Sequence, residues 1–475
     1  MSSLRTRVVG VCHQCQSVSP FKTIFRSQSV SAQPLVQADL LKGRPYRKHP
    51  GVTNLKAQRL PDELQRGALY IIKNAQVSDL TEKAQRLSNF LWSRKRKVED
   101  AQLRAKAMAL EKALGQCFVH NYVDSEGEDG NLEDRIKKQV LYDLRKNTYH
   151  WTPIRYDEAL GLVFMASRLA GGYAAVRRAL HEIKKRDSSF SPRSLLDFGS
   201  GLGTVVWASH SLWAESLREM VCVDSSGAMN ELAARLLRGG DEQNKPFIDN
   251  VYFRQFLPVS PKVQSDLVVG AFALSELGSS KERQDGALTL WRKTGSYLVL
   301  VENGTMDGHS ILMEARDTIL KNEDKVVYDH RMPSVFAPCT HALPCPKMMQ
   351  RLSVPCNFVQ SYYPLSLTKK QENSQEKFSY LIISRTGSAE QGDRLAGTEE
   401  VEWGRLTTPV IRRPRRVHCQ LCCSSGELKR LVVTARLHGR DTYRCARSSD
   451  WGDRLPVVLA EDEDDVTVQS DNEPS

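Results

Sequence analysis

Four short apolar runs lie in the middle of the chain, separated by segments long enough to form helices. They span residues 195–198, 220–224, 266–274 and 297–302. Runs of this length, rich in Val and Leu and apolar at successive positions, are typical of parallel strands that are buried on both faces. Because helix-length segments alternate with these runs, the pattern predicts an α/β fold built on a doubly wound parallel sheet.

Helical periodicity extends over the part of the chain that precedes the sheet. Apolar positions recur at helical spacing from residue 60 to residue 113, and again from 157 to 186. A basic run at 93–97 lies between two of these helices, and the second region carries five basic residues, namely Arg177, Arg178, Lys184, Lys185 and Arg186. We expect both basic groups on solvated surfaces, where they could bind phosphates.

A glycine-rich segment directly follows the first predicted strand. It reads Asp197-Phe198-Gly199-Ser200-Gly201-Leu202-Gly203 and leads into a helical pattern. Glycines allow the backbone to turn sharply and to approach a ligand closely, and the free N–H groups of a helix N-terminus attract a carboxylate or another anion. The second predicted strand ends in Asp224, about 20 residues further on, where nucleotide-binding folds place the carboxylate that binds ribose hydroxyls.

The acid within the first strand and the three alternate glycines resemble motif I of class I S-adenosylmethionine-dependent methyltransferases. The resemblance implies an S-adenosylmethionine site formed by Asp197, Gly199, Gly201, Gly203 and Asp224. The structural alternative is a domain of the same fold with an empty pocket, since short motifs also occur without their ligand.

Charge adds a candidate partner. The 475 residues carry a formal net charge of +11, although residues 461–465 are all acidic. A basic protein of this size favours a polyanionic partner, for which nucleic acid is the natural candidate, or a basic compartment such as the mitochondrial matrix. No apolar run approaches the roughly 20 residues that cross a bilayer, so no membrane span is predicted.

The first 38 residues have the composition of a mitochondrial transit peptide. They contain Arg5, Arg7, Lys22 and Arg26, many serines, and neither Asp nor Glu. Basic, Ser-rich and acid-poor segments of this kind direct import into mitochondria. We therefore exclude this segment from the fold and predict a location in the matrix.

Cysteines are concentrated after the fourth predicted strand. Cys339, Cys345 and Cys356 lie in proline-containing loops, and a fourth thiol could come from the segment that holds Cys419, Cys422 and Cys423. Disulfides are a poor explanation in a reducing compartment, so the pattern indicates zinc or an iron–sulfur cluster. The spacing is wider than that of zinc knuckles, which favours a four-iron cluster, and packed free cysteines are the structural alternative.

Several segments together resemble the mitochondrial small-ribosomal-subunit assembly factors called methyltransferase-like protein 17. The similar segments are the glycine loop, Ser275-Glu276-Leu277, Ala337-Pro338-Cys339, Pro344-Cys345-Pro346, Val417-His418-Cys419-Gln420-Leu421-Cys422 and Trp451-Gly452-Asp453. The resemblance covers residues 60–457. It implies a methyltransferase-type fold that binds ribosomal RNA and ribosomal proteins of the mitochondrial small subunit, and a [4Fe-4S] cluster held by Cys339, Cys345, Cys356 and Cys422.

The predicted organisation has five parts. They are a transit peptide at 1–38, a helical region at 39–156, a methyltransferase-like domain at 157–385 with a cysteine-bearing insertion at 330–360, a basic extension at 386–457 and an acidic tail at 458–475. Arg412-Arg413-Pro414-Arg415-Arg416 is the strongest basic run, and we expect an extended arm there that follows a phosphate backbone. Residues 431–435 and 443–445 predict a small β-rich extension.

Catalytic residues are harder to find than binding residues. No cysteine nucleophile lies between Asp266 and Glu302, and the chain has Ala273-Leu274-Ser275-Glu276 where exocyclic-amine methyltransferases resemble each other in an Asn/Asp-Pro-Pro-aromatic turn. Glu276 could act as a base or could simply be buried. Two hypotheses therefore remain, a non-catalytic assembly factor that binds RNA and an active ribosomal-RNA methyltransferase.

Overall fold

A computed structural model describes most of the chain. The described residues are 45–121, 129–260, 262–321, 329, 331–350, 354–365, 367, 372–385 and 403–457. The predicted transit peptide and the predicted acidic tail lie outside the described residues.

Helices form the region before the sheet. A short 3-10 turn at Tyr46–Lys48 precedes four helices, which are α1 (Asp62–Ala75), α2 (Leu80–Ser93), α3 (Asp100–Asn121) and α4 (Asp129–Asn147). The fifth helix is α5 (Glu158–Arg186). Asp157 caps its N-terminus, because the Asp157 carboxylate accepts a hydrogen bond of 2.8 Å from the Leu160 N–H. Helix α2 packs against α5, so the helical region lies directly against the sheet domain.

An eight-stranded sheet with flanking helices follows. Its elements in chain order are β1 (Ser194–Phe198), α6 (Thr204–Trp213), β2 (Glu219–Val223), α7 (Gly227–Leu237), β3 (Val251–Arg254), β4 (Ser265–Ala271), α8 (Ser280–Arg292), β5 (Thr294–Asn303), α9 (Met306–Lys321), β6 (Pro333–Ala337), α10 (Pro346–Met349), β7 (Phe358–Tyr362) and β8 (Ser374–Arg385). The strand order is β3-β2-β1-β4-β5-β8-β6, with β7 also paired to β8. This arrangement confirms the predicted class I methyltransferase-like α/β fold.

The sheet is mixed, which corrects the expectation of a wholly parallel one. Strands β1 to β5 run parallel, whereas β8 pairs antiparallel with β5, β6 and β7. All four predicted strands are present, as β1, β2, β4 and β5. The sequence pattern missed β3, whose residues alternate between partly buried and exposed, because a short edge strand lacks a continuous apolar run.

Helix α5 does not present the predicted basic outer face. The Arg178 side chain is 1% exposed and lies 3.6 Å from the Glu182 carboxylate, which also pairs with Arg186 and Arg405. Burial alone would raise the pKa of Glu182, but Arg405 and Arg186 hold it well below its ordinary value. Arg178 and Arg186 were misassigned because their acidic partner, Glu182, lies one turn away on the same helix and is itself buried by a distant segment that contributes Arg405.

Helix α5 is also long and apolar enough, by length and composition, to cross a membrane. However, 67% of its most apolar window is buried within the protein. Because α5 packs against both α6 and the sheet, its apolar character is that of a core helix.

The C-terminal extension is a second, smaller layer. It consists of β9 (Arg405–Leu406), β10 (Ile411–Arg413), β11 (Arg416–Cys422), β12 (Leu428–Val433), α11 (Ala435–His438) and α12 (Arg440–Ser448). The predicted β-rich extension is therefore present, but residues 443–445 lie in α12 and not in a strand. The chain before α1 ties this layer to the main domain, since the Asp453 carboxylate accepts hydrogen bonds from the backbone N–H groups of Thr53 and Asn54, at 2.7 and 3.0 Å.

Candidate functional site

The glycine loop lies between β1 and α6 at the carboxyl edge of the parallel strands. Gly199, Gly201 and Gly203 have φ angles of 67°, 49° and 72°, the left-handed region that side chains disfavour. A Cβ atom on Gly199 would also lie 2.6 Å from the Cβ of Ala273, which follows β4. Glycine at this position thus allows the loop to pack against the end of β4.

Asp224 holds the loop from the end of the neighbouring strand. Its carboxylate accepts hydrogen bonds of 2.9 Å from the N–H groups of Gly201 and Ser226. Since Asp224 directly follows β2, the two strand ends bring the carboxylate and the glycines together as the sequence predicted. Asp224 also lines the cavity beside the loop.

A cavity of about 470 Å³ opens at this edge of the sheet. Its walls come from the glycine loop, from the segments that follow β2, β3 and β4, and from the helical region. Residues that define these walls are Gly199, Gly201, Asp224, Gln255, Phe256, Ala273, Tyr156 and Arg168. The volume lies within the range that is usual for small-molecule sites.

Asp197 lies behind the loop and is not among the residues that line the cavity. Its side chain is fully buried, and neither carboxylate oxygen has a hydrogen-bond partner among the described residues. Burial, and then the nearby Asp224 carboxylate, raise the pKa of Asp197 well above its ordinary value. Gly203 is also absent from the cavity lining, so the structure brings Gly199, Gly201 and Asp224 to the cavity and leaves Asp197 and Gly203 behind them.

The helical region forms a roof over the cavity. The Arg94 guanidinium is 6% exposed, lies 2.5 Å from the Glu276 carboxylate and donates a hydrogen bond of 2.9 Å to the Thr152 carbonyl. Arg96, in the same basic run, pairs with Asp307 at 3.1 Å. The prediction of a solvated basic run at 93–97 is therefore wrong for Arg94, because its acidic partner lies in the sheet domain and could not be identified from local sequence. The Arg96 side chain stays 39% exposed beside Asp307.

Glu276 is consequently engaged by a cation. Burial raises the pKa of Glu276, whereas the hydrogen bond and the charge of Arg94 act in the opposite direction. Tyr156 is a second residue of the roof that the sequence did not assign to the site. The Ser226 hydroxyl donates a hydrogen bond of 2.7 Å to the Tyr156 carbonyl and so fixes the backbone there. No sequence signal distinguished Arg94 or Tyr156 from ordinary surface or core residues.

Glu302, at the end of β5, gives a pH-dependent stability that can be tested. Burial raises the pKa of Glu302 to about 7, and one carboxylate oxygen has no hydrogen-bond partner among the described residues. Between the ordinary value of 4.5 and about 7 the folded state holds a proton that the unfolded chain releases, so the free energy of unfolding should fall as the pH rises through this window.

Glu302→Gln should remove this pH dependence and raise the free energy of unfolding at pH 8, with little effect below pH 4.5. Urea unfolding followed by circular dichroism at several pH values measures it. Glu215→Gln is the control, because Glu215 is exposed and remains solvated in both states. An identical decline in both variants would contradict the assignment to Glu302.

The four predicted cysteine ligands lie in one region, here called the thiol cluster. Cys339 follows β6, Cys345 precedes α10, Cys356 precedes β7 and Cys422 ends β11. Burial raises the pKa of Cys339 to about 11 and that of Cys356 to about 12. Burial also raises the pKa of Cys422 well above its ordinary value, with further contributions from the charges of Cys339, Cys356 and Cys345.

Cys419 and Cys423 point away from this cluster. Side chains alternate along β11, and Val417, Cys419 and Leu421 pack with Cys423 into the core of the C-terminal extension. Cys422 has the opposite parity, and its nearest imidazole, that of His341, belongs to the loop that follows β6. The alternation of apolar positions 417, 419 and 421 was the sequence signal that could have separated Cys422 from its two neighbours.

Cations and imidazoles surround the thiol cluster. The charges of Arg316 and Arg405 act to lower the pKa of Cys339, and Lys347 does the same for Cys356, in both cases against the larger effect of burial. Within the described ranges, no three His, Cys, Asp or Glu side chains are close enough together to hold a single metal ion. Four sulfur donors with neighbouring cations fit a multinuclear, anionic iron–sulfur centre in donor type and charge.

The predicted basic arm is a hairpin. Arg412 and Arg413 lie on β10, and Arg416 begins β11, with Arg413 opposite Arg416. Pro414 and Arg415 form the two-residue turn between them, and Arg415 has a φ of 59°. The arginines are exposed as predicted, but they lie at the tip of a sheet and not on an extended arm, because proline is as suitable in a tight turn as in extended chain.

The extension as a whole is strongly basic. Residues 403–457 contain eleven arginines and one lysine against four Asp or Glu, a formal net charge of +8 out of +11 for the whole chain. Exposed cations from other elements flank the hairpin, since Arg447 on α12 donates a hydrogen bond of 3.2 Å to the Arg413 carbonyl.

A family model described as "Mitochondrial small ribosomal subunit Rsm22" matches residues 158–456 of this chain. The chain belongs to the Rsm22 family. It is 49% identical over 422 residues to the human protein named "Ribosome assembly protein METTL17, mitochondrial". The aligned residues cover 89% of this chain and 88% of the human protein. It is 25% identical over 326 residues to "Rsm22-cox11 tandem protein 2, mitochondrial" of Schizosaccharomyces pombe, covering 62% of this chain and 43% of the yeast one.

Two of the solved structures that this chain matches are methyltransferases. Magnesium protoporphyrin IX methyltransferase from Synechocystis PCC 6803, solved with bound S-adenosylmethionine, is 13% identical and covers 56% of this chain and 100% of its own, with a TM-score of 0.26. Ribosomal protein L11 methylase from Lactobacillus delbrueckii subsp. bulgaricus is 12% identical and covers 44% and 77%, with a TM-score of 0.26.

Membership in the Rsm22 family confirms the resemblance that the motifs indicated, and it confirms the predicted mitochondrial localisation. The matched range contains the glycine loop, the thiol cluster and the basic hairpin, whereas helices α1 to α4 precede it. The domain boundaries predicted from the sequence stay predictions.

Proposed function

We propose that this Rsm22-family chain is an assembly factor of the mitochondrial small ribosomal subunit, which binds ribosomal RNA in the matrix. The observation that carries the proposal is the concentration of positive charge in the C-terminal extension, within the range that the family model matches. The human relative's name describes a ribosome assembly protein and supports the same function. Phosphate binding by arginine is the largest sequence-independent source of affinity for RNA.

The basic surface has contributions from three parts of the chain. The hairpin supplies Arg413, Arg415 and Arg416, helix α12 supplies Arg444 and Arg447, and the 3-10 turn before α1 supplies Arg47 and Lys48. These parts are in contact, because the Arg444 guanidinium lies 5.0 Å from the centre of the Tyr46 ring and donates a hydrogen bond of 2.9 Å to its hydroxyl. A surface that spans three elements supports contact with a phosphate backbone over several nucleotides.

Loss of the protein tests the assembly function. Mitochondria that lack it should contain fewer assembled small subunits at an unchanged amount of large subunits, which sucrose-gradient sedimentation measures. Re-expression of the full chain should restore the small subunits. Normal small-subunit levels in its absence would refute the proposed function.

We infer that the cavity beside the glycine loop binds S-adenosylmethionine. The N–H groups at the start of α6 suit the carboxylate of the methionine portion, and Asp224 suits the ribose hydroxyls. The N–H groups of Gly199, Gly201 and Gly203 are engaged within the protein, so these glycines shape the loop and do not themselves donate to the ligand. Gln255, Phe256 and Leu257, which follow β3, lie further along the same cavity and offer polar and aromatic contacts to a base. Asp197, behind the loop, is not a direct contact in this arrangement.

Asp224→Asn should weaken S-adenosylmethionine binding by roughly tenfold or more, because hydrogen bonds to a charged acceptor contribute about 1.5–3 kcal/mol. Calorimetric titration of the purified protein measures the affinity. Asp249→Asn is the control, since Asp249 is exposed and does not line the cavity. Absence of binding by the unaltered protein would contradict the cofactor assignment.

We also infer that Cys339, Cys345, Cys356 and Cys422 hold a [4Fe-4S] cluster. Four thiols from separate segments lie in one region, and three cations, Arg316, Arg405 and Lys347, are nearby. Cys419 and Cys423 point away from this region, into the core of the C-terminal extension. When bound, such a cluster cross-links the segments that carry its ligands, and it can accept or donate one electron. Three of the ligands belong to the connection around α10 and the fourth to β11, so the cluster would join the methyltransferase-like domain to the basic extension.

Methyl transfer is the alternative function, and the roof of the cavity does not favour it. A base or an open path for a nucleobase would be needed beside the cavity. Glu276, the candidate base, pairs with Arg94, and Leu91, Pro153 and Ile154 cover the same side. We therefore propose ligand binding and RNA binding, without methyl transfer.

A further inference from the structure

His341 lies within the loop that carries Cys339 and Cys345, and its ring is directed at the thiol cluster. The Nδ1 atom is 3.1 Å from the Leu343 carbonyl oxygen, and the Nε2 atom is 3.4 Å from the Cys422 Sγ atom. A carbonyl oxygen can only accept, so Nδ1 carries the hydrogen. In the neutral ring Nε2 then carries a lone pair that faces the sulfur.

This arrangement is the one in which proteins hold imidazole ligands of metals. A ligating histidine donates its other ring N–H to a carbonyl or a carboxylate, which fixes both the tautomer and the ring orientation. Here the accepting carbonyl is itself fixed, because the Arg316 guanidinium donates hydrogen bonds to the carbonyls of Leu343 and Ala342, the latter at 2.8 Å. Both His341 and Cys422 are 7% exposed, so solvent does not compete for the nitrogen.

Other buried histidines differ in this respect. His49 has both nitrogen atoms engaged by ordinary partners, since Nε2 lies 2.8 Å from the Ser449 hydroxyl and Nδ1 accepts a hydrogen bond of 3.2 Å from the Gly51 N–H. His309 approaches the cluster at Cys345, with 3.8 Å between Nε2 and Sγ, but its Nδ1 has no partner among the described residues to orient the ring. His341 combines an oriented ring with a nitrogen that faces a predicted ligand.

We propose that His341 is a further metal ligand of this site and can replace Cys422. This inference rests on the proposed iron–sulfur cluster. If the four cysteines hold a cluster, His341 Nε2 would take the place of Cys422 Sγ as the protein ligand, and the released Cys422 thiolate would take up a proton. All four protein ligands then lie between residues 339 and 356, and β11 loses its covalent link to the cluster while the cluster is retained.

Iron content of variants purified without oxygen tests the exchange. Cys422→Ala should retain most of its iron, and Cys422→Ala/His341→Ala should lose it. Cys422→Ala/His309→Ala is the matched control and should retain iron as the single variant does. Because alanine at position 341 could disturb the loop, Cys422→Ala/His341→Gln is a second version of the decisive variant, and circular dichroism checks that each one is folded.

A spectroscopic signature accompanies the iron measurement. With ¹⁵N-labelled histidine, pulsed electron paramagnetic resonance of the reduced Cys422→Ala protein should show nitrogen coupling that the unaltered protein lacks. Loss of iron from Cys422→Ala to the level of the double variant, or retained iron without nitrogen coupling, would overturn the role of His341. Absence of iron from the unaltered protein would instead refute the cluster itself, so the two failures are distinguishable.

Discussion

Cys356→Ala is expected to abolish iron binding, whereas Cys419→Ala is expected to leave it intact. Cys356 belongs to the thiol cluster. Among the hydrogen bonds of the described residues, none joins an imidazole nitrogen to Cys356, whereas His341 Nε2 lies 3.4 Å from the Cys422 sulfur and could replace it. Cys419 packs with Leu421 and Val417 into the core of the C-terminal extension. Iron analysis and the visible absorption of protein purified without oxygen measure the difference.

The comparison is sharp because each substitution removes only a thiol, from a partly buried Cys356 and from a buried Cys419. Burial raises the pKa of each to about 12, so a general difference in thiol reactivity does not distinguish them. Stoichiometric zinc and no iron in the unaltered protein would refute the iron–sulfur assignment. Equal iron loss in both variants would show that the extension merely requires its native packing.

Triple replacement of Arg413, Arg415 and Arg416 by alanine is expected to flatten the salt dependence of RNA binding. Each phosphate contact contributes about −0.7 to −0.9 to the slope of log affinity against log salt, so the slope should change by roughly 2 to 3. Arg412 is left in place because its guanidinium donates hydrogen bonds of 2.8 and 2.7 Å to the carbonyls of Arg447 and Ser449. Fluorescence anisotropy with small-subunit ribosomal RNA fragments measures the slope.

The control for the triple hairpin variant removes the same amount of positive charge from another surface. Arg66, Lys73 and Arg86 are exposed on α1 and α2, away from the C-terminal extension, and their replacement by alanine should leave the slope unchanged. If the two triple variants lower the slope equally, binding depends on net charge and not on the hairpin. An unchanged slope in the hairpin variant would show that the turn does not contact RNA.

Local sequence determined much of the methyltransferase-like domain. The four apolar runs became β1, β2, β4 and β5, and the glycines adopted the positive φ angles that their spacing suggested. Asp224 reached the loop because adjacent parallel strands end at the same edge of a sheet. Such features depend on residues close together in sequence, or on the regular geometry of parallel strands, and both can be read from a pattern.

Only the tertiary structure determines which charged side chains are exposed to solvent and which are buried beside a carboxylate. Arg178 is buried beside Glu182 and donates a hydrogen bond of 2.7 Å to the Thr53 hydroxyl, and Arg94 is buried beside Glu276, 182 positions further along the chain. A basic side chain appears the same in sequence whether it faces solvent or a distant carboxylate. The physical reason is that ion pairs across elements depend on packing, which local periodicity does not encode.

The thiol cluster shows both kinds of information. Sequence identified three cysteines in proline-containing loops and a segment with three candidates for the fourth. The choice of Cys422 over Cys419 and Cys423 follows from which face of β11 packs into the core of the extension and which faces the loop after β6. Strand alternation sorts side chains into two faces, but only the folded chain determines what each face meets.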